Sequence, residues 1–420
     1  MTHRALVLLT ALVALPAAAH PPPADVHAAF DALTARELDR FHVAQARWVP
    51  AGDEIGVDYA YLLGSREGFA TYNPDGTLIT DGLTEIPTSY LLRIPEGWNG
   101  RLVVTIPGGT ADQTRLPPNI APMVELGFAV LTVNYPSPGF PGFPFGQFTQ
   151  RPREIPAHYE SCIRFVKRFI RRGFGPIATT LFYGESRGVG RGGGMLVGIH
   201  DNPIDGYVLV SGGGGRKGRL TDTLAVLVSA AAGGPNVIKL TGEPTAYPLP
   251  LDDVTIADLA SQIGFADPDY RSFVLAGADD AEMQARILAY DIAARPKRVQ
   301  RDWNDTVFDG DLQAKVMILH GTDDNDTWAS GSVDFVQRIV DAGKAAAVRL
   351  YIVDGQPHGP WPTPGVVDAV LAMEDWVEQG TPPGTLVLGL GALSVENNHQ
   401  LGYATNPLQY FFCEFAGECP

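Results

Sequence analysis

Seven short apolar runs, each bounded by turn residues and separated by longer connections, restrict the fold of this chain more than any other feature. They are residues 90–94 (YLLRI), 102–106 (LVVTI), 128–133 (FAVLTV), 179–183 (TTLFY), 206–210 (GYVLV), 315–319 (KVMIL) and 347–353 (AVRLYIV). Strict apolar–polar alternation is absent, so both faces of most runs are expected to be covered. Segments of helical period lie between them. Residues 157–172 carry Tyr159, Cys162, Ile163, Val166, Phe169 and Ile170 at helical spacing and end on Arg171, Arg172 and Gly173. A further helix is predicted over 366–377. Covered strands joined by helices imply a largely parallel central sheet with helices on both sides, an α/β architecture.

Composition sets the limits around that architecture. With 420 residues, 45% of them hydrophobic and 19% charged, the chain has ample core for one decorated domain or for two or three smaller ones. A formal net charge of −16 repels phosphate backbones, which argues against nucleic acid as a partner. The basic residues Arg164, Lys167, Arg168, Arg171 and Arg172 fall on the polar face of the 157–172 helix and read as a solvated face.

The N-terminus has a basic start at Arg4, an apolar run over 5–15 and small residues Ala17 and Ala19, the pattern of a secretory leader. It is too short to span a membrane. The expected mature chain begins near His20, secreted or periplasmic. In such a compartment Cys413 and Cys419 are expected to pair, closing a C-terminal loop worth on the order of 2 kcal/mol. Cys162 reads as a buried thiol.

Two segments break the strand–helix rhythm. Residues 211–313 are expected to form a cap inserted after the strand at 206–210, and 135–156 a Pro/Gly/Phe-rich loop. Phe140, Phe143 and Phe145 in that loop, together with Trp361, are candidates to wall an apolar substrate pocket. The chain then divides into a leader (1–19), an extension with the first strands (20–84), a core in two parts (85–210 and 314–380), the cap, and a C-terminal extension (381–420).

Within the core, residues 181–190 read LFYGESRGVG. A serine between two glycines directly after a buried strand is the pattern of a nucleophile elbow, a turn too tight for larger neighbours. Serine alone is a poor nucleophile and needs a base, a group that orients the base, and donors for an oxyanion. With Ser186 as nucleophile, the chain order expected of this architecture places an acid and then a histidine farther on. After the strand at 315–319 come His320, Asp323, Asp324 and Asp326; Asp324 is the favoured acid, with Asp323 and Asp326 read as a solvated turn or cap. His358, in the turn DGQPHGPW, is the favoured base and His320 its main competitor. For the oxyanion, the backbone N–H of Arg187 and that of Gly109, in PGGT after the strand at 102–106, are the candidates. The acids of HGTDDNDT lack the spacing of a calcium loop, so no metal and no cofactor is expected.

On PGGT, GESRG, HGTDD and PHG in this order, residues 85–380 resemble the α/β-hydrolase superfamily. The secretory start, the large insertion and the segment MEDWVEQGTPPGTLV resemble its secreted tannase and feruloyl-esterase-like branch. Where that branch commonly carries one Cys beside the nucleophile and another beside the histidine, this chain has Glu185 and Gly359. The resemblance implies an α/β-hydrolase fold and serine hydrolase chemistry on a carboxylic ester, small or polymeric. A serine peptidase or amidase, transfer to an alcohol, and a non-catalytic binding protein are the alternatives.

Overall fold

The computed structural model describes residues 25–34, 41–52, 55–66, 88–106, 116–133, 154–186, 188–189, 193–212, 237–238, 244–245, 267–291, 294–297, 299, 310–323, 329–359 and 361–383. The leader, the segment 134–153, most of 213–266 and the C-terminal extension with Cys413 and Cys419 therefore lie outside the described residues.

In chain order the elements are α1 (Val26–Thr34), β1 (Phe41–Val49), β2 (Tyr59–Arg66), β3 (Thr88–Pro95), β4 (Arg101–Ile106), α2 (Ala121–Glu125), β5 (Ala129–Val133), α3 (Glu154–Gly173), β6 (Thr179–Glu185), α4 (Gly194–Leu196) and β7 (Gly206–Val210). There follow β8 (Val237–Ile238), β9 (Pro244–Thr245), α5 (Pro268–Leu275), α6 (Asp280–Leu288), β10 (Lys315–Asp323), α7 (Ala329–Asp341), β11 (Val348–Pro357) and α8 (Thr363–Gln379). Nine strands form one sheet in the order β1-β2-β3-β5-β4-β6-β7-β10-β11. The pairs β1/β2, β2/β3 and β3/β5 are antiparallel, and every pair from β5 to β11 is parallel. All seven runs read as strands in the sequence lie in this sheet, and the antiparallel edge is extended by β1 and β2. The segment 211–313 contributes β8, β9, α5 and α6, and none of these joins the sheet.

Because side chains alternate across a strand, each strand feeds two cores. On one face Leu102, Val104, Phe182, Leu209 and Ile318 pack with Tyr159, Cys162, Val166 and Phe169 of α3. On the other, Val103, Leu181, Tyr183, Val208 and Met317 pack with Met123 and Val124 of α2 and with Val366, Val370, Met373 and Trp376 of α8. The α3 positions chosen by helical spacing are all buried. Each large apolar side chain so removed from water contributes about 1.5–3 kcal/mol, which explains why uninterrupted apolar runs became central strands. On the outer side of α3, Arg164 Nε donates to Glu160 Oε1 at 2.7 Å and Lys167 Nζ to the carbonyl of Pro203 at 2.7 Å, while Arg171 and Arg172 are exposed. No helix among the described residues is long and apolar enough to cross a membrane.

The C-terminal end of α8 fastens the edge of the sheet where the parallel strands begin. Arg101, first residue of β4, donates from Nε and one terminal nitrogen to the two oxygens of Glu378, each at 3.0 Å, and also pairs with Glu374. Thr179 Oγ1, at the start of β6, donates to Glu378 Oε1 at 2.8 Å. Lys315, at the start of β10, donates to the carbonyl of Trp376. The hydrogen bonds from Arg101 hold the Glu378 carboxyl below the ordinary carboxylate range, whereas burial pushes that of Glu374 up.

A depressed carboxyl contributes stability that is fully present above its unfolded pKa of about 4.3 and is lost as the pH falls through the folded value. Glu378→Gln should therefore lower unfolding free energy by about 1–2 kcal/mol at neutral pH, the size of a lost charge-assisted fork. Urea unfolding of both proteins should find that difference shrinking as the pH falls below about 4; a deficit that stays constant with pH would contradict the assignment.

Candidate active site

The last parallel strands all end at the same edge of the sheet, and the sequence-predicted chemistry lies there. At the end of β6 the chain turns sharply: Ser186 has φ 54°, the left-handed region that a non-glycine residue enters at a cost of roughly 1–2 kcal/mol. Its amide donates to the carbonyl of Val210 at 2.9 Å, one step past the β6–β7 ladder, and its carbonyl accepts from Val189 at 3.0 Å. Gly184 is required by this turn. A Cβ there would lie 2.7 Å from a ring carbon of Phe182 and 3.0 Å from the carbonyl of Gly188. After the turn comes the short α4.

His358 follows β11 directly, and its Nε2 lies 2.7 Å from Ser186 Oγ, although 172 positions separate the two residues in the chain. Both are half-buried. The competing histidine is elsewhere in function: His320 is fully buried in β10, with Nδ1 2.7 Å from Ser332 Oγ of α7, a bond that fastens strand to helix. Of the remaining predicted residues, Asp324, Arg187, Gly109, Phe140, Phe143 and Phe145 lie outside the described residues.

Trp361 is near the pair in sequence but faces the core. It is 3% exposed and its indole Nε1 donates to Ser211 Oγ at 2.7 Å. Ser211, at the end of β7, is itself left-handed at φ 51° and its amide donates to the carbonyl of Leu319. An indole so enclosed and with its N–H bonded anchors the segment that carries it. It secures the loop that carries His358 against the end of β7.

A polar group around Glu185, whose partners the sequence did not mark, stands beside Ser186. Strand alternation puts Tyr183 and Glu185 on the same face of β6. Tyr183 Oη donates to Glu185 Oε2 at 3.0 Å, and Asn119 Nδ2 reaches both Tyr183 Oη, at 2.7 Å, and Glu185 Oε2, at 3.0 Å. Burial, reinforced by the charge of Glu185, holds the phenol protonated well above its ordinary range. Asn119 is 66 positions from Glu185, so only the i, i+2 spacing of Tyr183 and Glu185 could have hinted at the group.

Gly184→Ala should displace the elbow or the Phe182 ring, and overpacking of this kind costs about 1–3 kcal/mol. Chemical denaturation measures it, and an unchanged midpoint would show that the turn has more room than these contacts allow.

No family model and no curated protein matches the sequence. Solved structures do. Feruloyl esterase B from Aspergillus oryzae is similar with a TM-score of 0.52 and 14% identity, covering 86% of this chain and 92% of that one. An esterase from Aspergillus oryzae is similar with a TM-score of 0.52 and 15% identity, covering 85% of this chain and 90% of that one. At these identities the likeness is one of fold, and together with the strand order and the turn at Ser186 it gives the chain an α/β-hydrolase fold.

Proposed function

We propose that this chain is a serine hydrolase of carboxylic esters, with Ser186 as nucleophile and His358 as general base. The observation that carries the reading is the 2.7 Å approach of His358 Nε2 to the Oγ of a serine strained into a left-handed turn. Ser211 shares the left-handed turn but its hydroxyl accepts from Trp361, whereas the Ser186 hydroxyl meets a histidine nitrogen at the strand end, the pairing that a serine nucleophile requires. Similarity of fold to a feruloyl esterase and to a further esterase supports the choice of ester over amide.

In the reaction, Ser186 Oγ attacks the ester carbonyl while its proton passes to His358 Nε2, and an oxyanion forms. Backbone N–H groups of Arg187 and Gly109 are the proposed oxyanion donors. Collapse breaks the bond to the alcohol, which leaves with the proton from His358 and leaves the acyl group on Ser186. Water, deprotonated by His358, then releases the acid and restores the serine. Asp324 is the proposed partner of the imidazolium. Its support is the register of the parallel ladder, in which Asp323 is the Cα partner of Pro357, so that the next residue on each chain is Asp324 and His358.

The substrate class is a bulky or aromatic ester, small or polymeric. The aromatic residues Phe140, Phe143 and Phe145 suit such a group, as does the likeness of fold to a feruloyl esterase. The reading includes export of the chain, with cleavage near Ala19 and a Cys413–Cys419 bond in the mature protein, on the strength of the N-terminal pattern and the cysteine spacing.

Hydrolysis of a panel of p-nitrophenyl and aryl-acid esters tests the activity. Ser186→Ala and His358→Ala should each lower kcat by up to about a millionfold. Among Asp323→Asn, Asp324→Asn and Asp326→Asn, the Asp324 variant alone should lose about ten-thousandfold. Turnover that survives in Ser186→Ala, or a panel that is inert in the intact protein while a peptide or amide is cleaved, would overturn the ester reading.

A further inference from the structure

The two positions at which this chain departs from the branch it resembles, Glu185 and Gly359, meet in space. Each is the immediate neighbour of a proposed catalytic residue: Glu185 precedes Ser186 and Gly359 follows His358. A Cβ built on Gly359 would lie 3.1 Å from Glu185 Oε1, closer than ordinary van der Waals contact, and among the described residues beyond its chain neighbours it would touch nothing else within 4 Å. The Glu185 carboxylate is thus what a side chain at position 359 would meet among the described residues.

That carboxylate is not free to swing aside. Its other oxygen accepts from Tyr183 Oη and from Asn119 Nδ2, both at 3.0 Å, and Tyr183 Oη is itself held by Asn119 at 2.7 Å. Two donors on one oxygen fix the plane of the group and aim the second oxygen at the loop. Tyr183 is in turn buried in the core between the sheet and α8, and its phenol stays a donor at all ordinary pH because burial keeps it protonated. The frame of the carboxylate is therefore the sheet.

We propose that Glu185 is a positioning residue for the Ser186–His358 pair: its braced carboxylate is the stop against which the His358 loop rests, and Gly359 is glycine because a side chain there would push the loop off that stop. The idea rests on the hydrolase reading above and adds to it a part that lies outside the Ser-His-Asp set. Displacement of a general base by a fraction of an ångström is enough to cost rate without costing binding. The role depends on the shape and hydrogen bonding of the group at 185, and an amide, whose oxygen accepts from both donors while its nitrogen takes the place of Oε1, serves nearly as well.

The test is a double-mutant cycle on the full chain, read as kcat and KM for p-nitrophenyl butyrate, with melting temperature measured alongside. Glu185→Ala should lower kcat ten- to a hundredfold with KM within twofold, and Glu185→Gln should retain at least a third of the wild-type kcat. Gly359→Ala should cost about tenfold in kcat in the wild-type background and less than twofold in the Glu185→Ala background, where the obstructing carboxylate is gone. Crystal structures of the wild type and of Glu185→Ala supply a readout apart from activity: the Ser186 Oγ to His358 Nε2 distance should lengthen in the variant, or the His358 loop should take more than one position. Equal losses from Gly359→Ala in both backgrounds, a Glu185→Gln as damaged as the alanine, or an unmoved Ser186–His358 pair would each overturn the proposal. A wild type that neither turns over the ester nor is labelled at Ser186 by a fluorophosphonate would instead remove the hydrolase reading, and the crystallographic distance would still decide whether Glu185 sets the position of His358.

Discussion

The hydrogen bond from the Ser186 amide to the carbonyl of Val210 holds a non-glycine residue at φ 54° where the strand would otherwise run on or fray. The rest of the site is arranged around that constraint. Gly184 has no side chain because Phe182 and Gly188 fill the space on either side of the turn. The next strand copies the device: Ser211 is left-handed at the end of β7, its amide donates to Leu319 of β10, and its hydroxyl accepts from Trp361, which lies three residues after His358. Ser186 and His358 are thus joined through successive strand ends as well as directly.

The two edges of the sheet divide the work, and α8 connects them. Its 17 residues span about 25 Å, longer than the five- to seven-residue central strands β4 to β7 it crosses. One end of the helix follows the His358 loop; at the other, Glu374, Glu378 and the carbonyl of Trp376 hold the first residues of β4, β6 and β10. Charge-assisted bonds sit where strands begin and nothing has to react. Strain and half-buried polar groups sit where strands end, and the fold tolerates them there because the opposite edge and two apolar cores hold the strands in place.

Central strands were legible because burial on both faces leaves a continuous apolar run, and β6, β7 and β10 begin where the runs begin. The elbow was legible because the steric demand at Gly184 acts on near neighbours in the chain, and the approach of His358 to Ser186 because chain order in such a sheet brings the turn after the last strand to the same edge. What the sequence left dark is what depends on distant partners. Trp361 reads as a pocket wall until Ser211, 150 positions away, is seen to take its N–H. His320 and His358 both stand at or just after strand ends, and only Ser332 on α7 separates the structural one from the one at the nucleophile. Likewise Glu185 reads only as a departure from the resembled branch until Asn119 and Gly359 converge on it.

The placement of His358 finally turns on a local irregularity between β10 and β11. The two strands pair residue for residue up to Gly321 with Val353, and then the register shifts so that Asp323 is opposite Pro357. One residue of β10 is spanned by three of β11, and the extra backbone turns the Gln356 carbonyl toward Gly321, where no side chain has room. In uninterrupted register Asp323 would face Gly355, and His358 would lie two residues beyond Ser186's reach along the strand direction, about 6–7 Å away. The shift folds that excess into a bulge. The same two-residue offset thus draws His358 back along the strand direction to where its Nε2 lies 2.7 Å from Ser186 Oγ.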